Sequence, residues 1–254
     1  MCLILFVYKV HPNYNLILAS NRDEFYERPT EPAAFWKESP ELFAGKDLRG
    51  GGTWLGITIT GRFAAITNFR DPFSLKPNAP TRGHIVSSYL NSNESPFIWL
   101  EKLKKDADKY NGFNLLTGDK DHLYYYSNHD ANNIKQLEPG IYGLSNEFLD
   151  SPWPKVKKGK KELKKLISKE SLPSNDVFFN ILKNTDQPSD KELPNTGVGL
   201  DWERILGPMF IQNPIYGTRS SSLIFINKKG QADFIERSYK PGSDDFIISS
   251  GLST

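Results

Sequence analysis

The sequence is short of the residues that build covalent or metal-held frameworks. It has one cysteine and four histidines in 254 residues. A single cysteine excludes an internal disulfide scaffold, the usage expected of a cytoplasmic protein. His11, His84, His122 and His129 are scattered, and neither among themselves nor with the cysteine do they take metal-ligand spacing, so no metal site is expected. No stretch approaches the ~20 consecutive apolar residues of a membrane span. The apolar start lacks a basic leader and a small-residue cleavage site, which argues against a signal peptide. Charge of one sign is not in excess either, with a net of +2. No basic patch interleaved with aromatics points to nucleic acid. Gly50-Gly51-Gly52 could cradle a phosphate, but no GxxxxGK[ST] pattern accompanies it, and close approach to a ligand or neighbouring strand explains it equally well.

Hydrophobic residues at 38% and aromatics at 13% support a substantial core. The length suits one domain over residues 1–254, and no linker or internal repeat divides it. Charge is nevertheless uneven. The segment from Lys155 to Glu170 holds eight lysines against two glutamates. Leu163, Leu166 and Ile167 give it a narrow apolar stripe at helical spacing, so a solvated helix is predicted. A weak contact with an anionic membrane surface through Lys155–Lys169 is the alternative.

The one cysteine, Cys2, heads the apolar run Cys2-Leu3-Ile4-Leu5-Phe6-Val7-Tyr8. If Met1 is removed, the chain begins with a thiol and a free α-amine on one residue. The thiol can then attack while the amine, titrating near pH ~8, takes its proton. A small apolar residue opening a core strand is the plainer reading. Residues 2–9 and 14–20 flank the turn signal His11-Pro12-Asn13, so a β-hairpin is predicted. Both runs are apolar on nearly every residue, as in strands covered on both faces. The second runs into Asn21-Arg22-Asp23-Glu24. In an antiparallel pair its end lies beside the start of the first strand, which brings these four residues next to Cys2. There a cation would lower the thiol pKa and a carboxylate could orient the amine, although a surface ion-pair cluster has the same composition.

Farther on, residues 25–53 read as a loop with Pro29, Pro32 and Pro40. Strands are predicted at 54–60, 62–69, 112–118, 122–127, 140–146, 222–227, 231–239 and 244–249. Helices are expected at 82–91, 96–109, 155–170 and 174–184, and a flexible polar loop at 185–199. Asn68 ends one strand, where its amide could donate into a cleft or simply close a turn. Strands and paired helices alternate along the chain. The predicted fold is α/β: a four-layer α/β/β/α sandwich of two stacked antiparallel sheets.

Five motifs in order, SNRDEF after the hairpin, GGTWLGI, TNFR, a central LSN and GTRSSS before the final strands, carry a resemblance over essentially the whole chain. They resemble the NRDE family, also called transport and Golgi organisation protein 2-like. That resemblance implies the N-terminal nucleophile hydrolase fold and a distant kinship with choloylglycine hydrolases and penicillin V acylases. By that kinship Cys2 matches the nucleophile. Asn68 and Asn146 resemble the two asparagines of those acylases, and Arg219 their arginine before the last hairpin. The acylases separate an arginine and an aspartate by three residues after the second strand. Here Arg22 and Asp23 are adjacent, and an ungapped match places Asn21 and Glu24 there instead. Asp23 and Glu24 thus remain alternatives for orienting the amine.

Two functions follow from the resemblance. One is an N-terminal cysteine amidohydrolase: Cys2 attacks an amide carbonyl, Asn68 and Asn146 donate to the oxyanion at about 2–4 kcal/mol each, and Arg219 and Arg22 steady charge. The other is binding or trafficking of a small hydrophobic anion such as haem or a lipid-like molecule, since the family is implicated in haem trafficking and lipid homeostasis. No cofactor is required in either case. For a carrier, Arg22, Arg70, Arg219 or the lysine-rich helix would supply cations, and Asn21, Glu24 and Trp54 would complete the ligand contacts.

Overall fold

A computed structural model describes residues 2–130, 133–243 and 245–252. The first hairpin forms as predicted, from Cys2–Tyr8 (β1) and Tyr14–Phe25 (β2). All seven residues of β1 are buried. Alternation sends Ile4, Phe6 and Tyr8 to one face and Leu3, Leu5 and Val7 to the other, into two separate cores. Burial of each large side chain contributes about 1.5–3 kcal/mol, so this hairpin anchors the molecule from both sides.

Next to β2 lies Tyr216–Asn227 (β11), followed by Ala232–Tyr239 (β12) and Phe246–Leu252 (β13); Gly140–Leu144 (β10) flanks β1. The six-stranded sheet runs β10-β1-β2-β11-β12-β13, with every pair antiparallel. The second sheet comprises Thr30–Trp36 (β3), Ser39–Asp47 (β4), Leu55–Thr58 (β5), Phe63–Asn68 (β6), Phe113–Gly118 (β7), Leu123–Ser127 (β8) and Lys135–Gln136 (β9), in sequence order and also antiparallel. Phe6, Leu18, Phe63, Leu116, Ile224 and Phe234 fill the space between the sheets. Gly83–Leu90 (α1) and Pro96–Lys104 (α2) cover the outer face of the second sheet. Pro154–Leu166 (α3) and Asn175–Leu182 (α4) cover the first. These are the four predicted layers, α/β/β/α.

Four local expectations change. Residues 25–53 are not a loop: β3 and β4 form one edge of the second sheet. Pro32 is tolerated because β3 is the edge strand and its register shifts between Glu31 and Ala34. The helix expected at 96–109 stops at Lys104, and a 3₁₀ turn takes up Ala107–Lys109. The polar loop is followed by a short helix, Leu200–Leu206 (α5), which the sequence reading did not anticipate. The lysine-rich helix packs on Val156, Gly159 and Leu163, and buries Lys155 rather than exposing it. Gly159 allows that packing, since a Cβ there would stand 2.4 Å from Leu5. Of the strand expected at 244–249, residue 244 lies outside the described residues, as does Met1. No helix among the described residues is long and apolar enough to cross a membrane.

Candidate functional site

Hairpin register sets the site. Cys2 pairs with Arg22 across β1 and β2, and on its other side β2 pairs with β11, setting Asp23 opposite Thr218. A cleft of about 520 Å³ opens beside Cys2. Arg22, Asp23, Glu24, Trp54, Asn68 and Arg82 line it, with Arg28, Asp47, Thr53 and Ile66. The triple glycine immediately precedes Thr53 of the lining. Gly51 and Gly52 have φ of +66° and +70°, and a Cβ on Gly52 would lie 2.3 Å from the Gly83 backbone. The glycines thus serve close approach to the start of α1.

The Cys2 thiol is held neutral. Burial pushes its pKa up, and the Asp23 carboxylate adds to this; Arg22 and the backbone N–H of Asp23, which donates to the sulfur, oppose the shift without overcoming it. Asp23 is buried as well. Its Oδ1 accepts from Thr218 Oγ1 at 2.7 Å, and Tyr216 Oη donates to its carbonyl at 2.9 Å. Desolvation raises its pKa, offset chiefly by Lys155. Lys155 in turn is pushed down to about 8 by burial, Asp23 being the main opposing influence, and its Nζ donates to the Leu206 carbonyl at 3.0 Å. Asp23 and Lys155 are thus close enough for each to favour the other's charged form against the effect of burial.

The remaining expected residues divide. Glu24 lines the cleft, its Oε2 3.8 Å from Arg28 Nε. The Arg22 guanidinium lies over the Trp54 ring at 4.1 Å. Asn68 lines the cleft at the end of β6. Asn146 does not line it. Its Nδ2 donates to the Asn68 carbonyl at 2.9 Å, its own carbonyl accepts from Arg70 N–H at 2.7 Å, and Ser145 Oγ donates to the Cys2 carbonyl at 3.1 Å. Ser145 and Asn146 together thus tie the Asn68 strand end to the Cys2 strand.

Asn21 faces the helical layer, where Nδ2 donates to the carbonyls of Leu182 and Met209 and Oδ1 accepts from Ser221 Oγ. Strand alternation explains this, since Asn21 is one residue out of phase with Arg22. Arg70 pairs with Glu203 of α5 at 2.6 Å, over the Trp153 ring, away from the cleft lining. Arg219 sits at a β-bulge, between the pairings of Thr218 and Ser220. The bulge re-aims it, and its Nη1 donates to the carbonyls of Phe25, Tyr26 and Arg28 at 3.0–3.3 Å.

Sequence reasoning missed five charged residues here: Arg28, Asp47, Arg49 and Arg82 in the lining, and Lys155 beside Asp23. Arg28 grips Asp47 with two hydrogen bonds of 2.7 and 2.9 Å, and Asp47 Oδ1 accepts from the N–H groups of Arg49 and Gly50. Burial raises the Asp47 pKa, but these bonds win and hold it below the usual carboxylate range. Arg82 Nη1 donates to the Gly112 carbonyl at 2.8 Å, and no carboxylate among the described residues forms an ion pair with it or with Arg22. Lys155 was hidden among eight lysines and bears no local mark of burial. No His, Cys, Asp and Glu group among the described residues could hold a metal ion.

Over its whole length the chain matches a mutant conjugated bile acid hydrolase from Clostridium perfringens with a TM-score of 0.53 at 9% identity, covering 100% of this chain and 97% of that one. At that identity the likeness is one of fold, that of the N-terminal nucleophile hydrolases. In sequence the chain is 34% identical over 257 residues to the transport and Golgi organization 2 homolog of Mus musculus, covering 94% of this chain and 93% of the relative. It is 35% identical over 264 residues to the Bos taurus homolog, covering 96% and 95%. Residues 1–241 match the family model described as Transport and Golgi organisation 2, and the chain belongs to that family.

Proposed function

We propose that the Cys2 cleft binds a small amphiphilic anion and does not cleave it, with haem or a lipid-like carboxylate as the ligand, in a cytoplasmic protein. The observation that carries this reading is the pair Arg22 and Arg82: two guanidiniums that line one cleft without a carboxylate partner among the described residues. An anionic head would satisfy them, while Trp54, Ile66, Pro77, Ala79 and Pro80 offer apolar contact to its body. The engagement of the Asn146 amide with a backbone carbonyl favours binding over catalysis.

Haemin titration read at the Soret band, and dodecanoate titration by calorimetry, test this directly. Saturable binding of either ligand, weakened about tenfold by Arg82→Gln, is expected. Absence of saturable binding of both overturns the reading.

The second reading, an amidohydrolase, draws on the placement of Cys2 beside Asn68 in the cleft, with the Asp23 N–H on its sulfur. The Cys2 amine would take the thiol proton, the thiolate would attack the carbonyl, and the amine would protonate the leaving nitrogen before water cleared the thioester. It requires loss of Met1. Intact mass together with turnover of N-acyl amides decides it: a retained Met1, or activity unchanged in Cys2→Ala, excludes this mechanism.

A further inference from the structure

The Arg22–Trp54 stack has two sides. Behind it lies a second chamber of about 230 Å³ between the sheets, to which Arg22 and Trp54 both contribute a wall. Its other side is built by Arg219, Ser220, Glu236, Ser238 and Tyr239.

Residues that line this chamber carry two buried guanidinium nitrogens without partners among the described residues: Nη1 of Arg22 and Nε of Arg219. Arg22 as a whole is only 6% exposed. The Arg22 guanidinium is near enough to disfavour the charge on Arg219; burial lowers the Arg219 pKa and Arg22 lowers it further. Like charges buried together with unmade hydrogen bonds are unfavourable unless an anion joins them. Glu236 is not that anion. Its Oε1 accepts from Ala33 N–H at 2.9 Å and Ser238 Oγ at 3.0 Å, and its Oε2 from Ser222 Oγ at 3.1 Å. Glu31 and Lys240 are exposed, and Lys240 pairs with Asp245 at 3.5 Å.

Arg219 is held in place for the task. Its Nη1 is locked onto the carbonyls of Phe25, Tyr26 and Arg28, which leaves the Nε edge fixed. Arg22 is fixed by its stack on Trp54, and Trp54 by Gly45, where a Cβ would stand 2.4 Å from the indole. Two rigid guanidinium edges at one small chamber make a preorganised oxoanion receptor.

We infer that this chamber is an oxoanion-binding site, with Arg22 Nη1 and Arg219 Nε as its donors and a carboxylate or phosphate group as its ligand. It would hold an oxoanion whether or not the Cys2 cleft binds a ligand.

NMR of the arginine Nε–H signals tests it in the full-length protein, with acetate and inorganic phosphate as separate probes and chloride at matched ionic strength as control. The expected result is a saturable shift of the Arg219 Nε–H signal with a midpoint of about 10 mM or tighter for one probe. Whichever probe saturates at lower concentration assigns carboxylate or phosphate. Arg22→Gln should weaken binding about tenfold, and Ser238→Leu, which fills the chamber without touching either arginine, should abolish it. Absence of a saturable shift with both probes overturns the site. So does the same shift with chloride, or full binding retained in Arg22→Gln. Arg22 belongs to both sites, so Arg82→Gln, at a residue that lines only the cleft, and Ser238→Leu, at one that lines only the chamber, separate them: the first should weaken haemin binding alone and the second oxoanion binding alone.

Discussion

Cys2 and Arg22 face one another across the first hairpin, and the Arg22 guanidinium lies over the Trp54 ring, 4.1 Å from its centroid. Thiol, cation and indole thus form one continuous wall, and the geometry of each depends on the next.

Trp54 depends on the smallest residue near it. Gly45→Ala would drive a methyl group into the indole ring. The expected cost is about 1–3 kcal/mol in urea unfolding, the usual penalty of overpacking. Ligand binding in the cleft should fall as well, because the plane that positions Arg22 moves.

The thiol should be sluggish. Burial raises the Cys2 pKa above its ordinary value, so the thiolate fraction at neutral pH is small. Iodoacetamide should modify folded protein more slowly than urea-unfolded protein at pH 7.5. Its rate should climb with pH to a midpoint above that of a free cysteine. Rapid labelling at neutral pH would instead reveal an activated nucleophile.

Lys155 gives stability a pH signature. Its pKa falls to about 8 in the folded protein, mainly through burial, and returns to about 10.4 on unfolding. Between those values the unfolded chain binds more protons, so Lys155 makes stability rise with pH through that window. Below pH 8 the charged amine is a burden in the fold, and above the unfolded value the effect is complete. Denaturation midpoints from pH 7.5 to 10.5 should show this contribution, and Lys155→Met should remove it.

The α5 helix is latched by one acid. Glu203 accepts from Arg70 Nη1 at 2.6 Å and from Thr196 N–H and Oγ1 at 2.8 and 2.6 Å, nearly out of solvent. Breaking a buried pair costs about 3–5 kcal/mol. Glu203→Ala should lose stability on that scale, and hydrogen exchange should accelerate over residues 196–206 before the β-strands open.

On the other face, three lysines of α3 are already engaged, Lys158 with Asp186, Lys160 with Asp150 and Lys165 with Glu162. Lys157, Lys161, Lys164 and Lys169 remain exposed without such partners among the described residues. We propose only weak contact with an anionic membrane surface. Phosphatidylserine vesicles should retain the protein at low salt and release it at physiological ionic strength, and Lys161→Glu with Lys164→Glu should prevent retention.

Much of this architecture was legible from local pattern. Two continuous apolar runs around His11-Pro12-Asn13 implied a hairpin covered on both faces, and antiparallel geometry alone carried Arg22 to Cys2. Turn chemistry misled at residues 25–53, because proline reads as a loop unless the strand is known to lie at an edge. Strand phase and a bulge removed Asn21 and Arg219 from the cleft; phase is inferable from alternation, whereas a one-residue bulge is not. Lys155 could not be told from its seven neighbouring lysines, because burial is a property of what packs above a helix rather than of its own residues. Local pattern was enough for most elements, their stacking and the meeting of Cys2 with Arg22, since these follow from periods of two and 3.6 residues, but not for β3, β4 or α5. Which charges are paired and which are not emerged from the packing, because pairing depends on distances between strands and helices far apart in the chain.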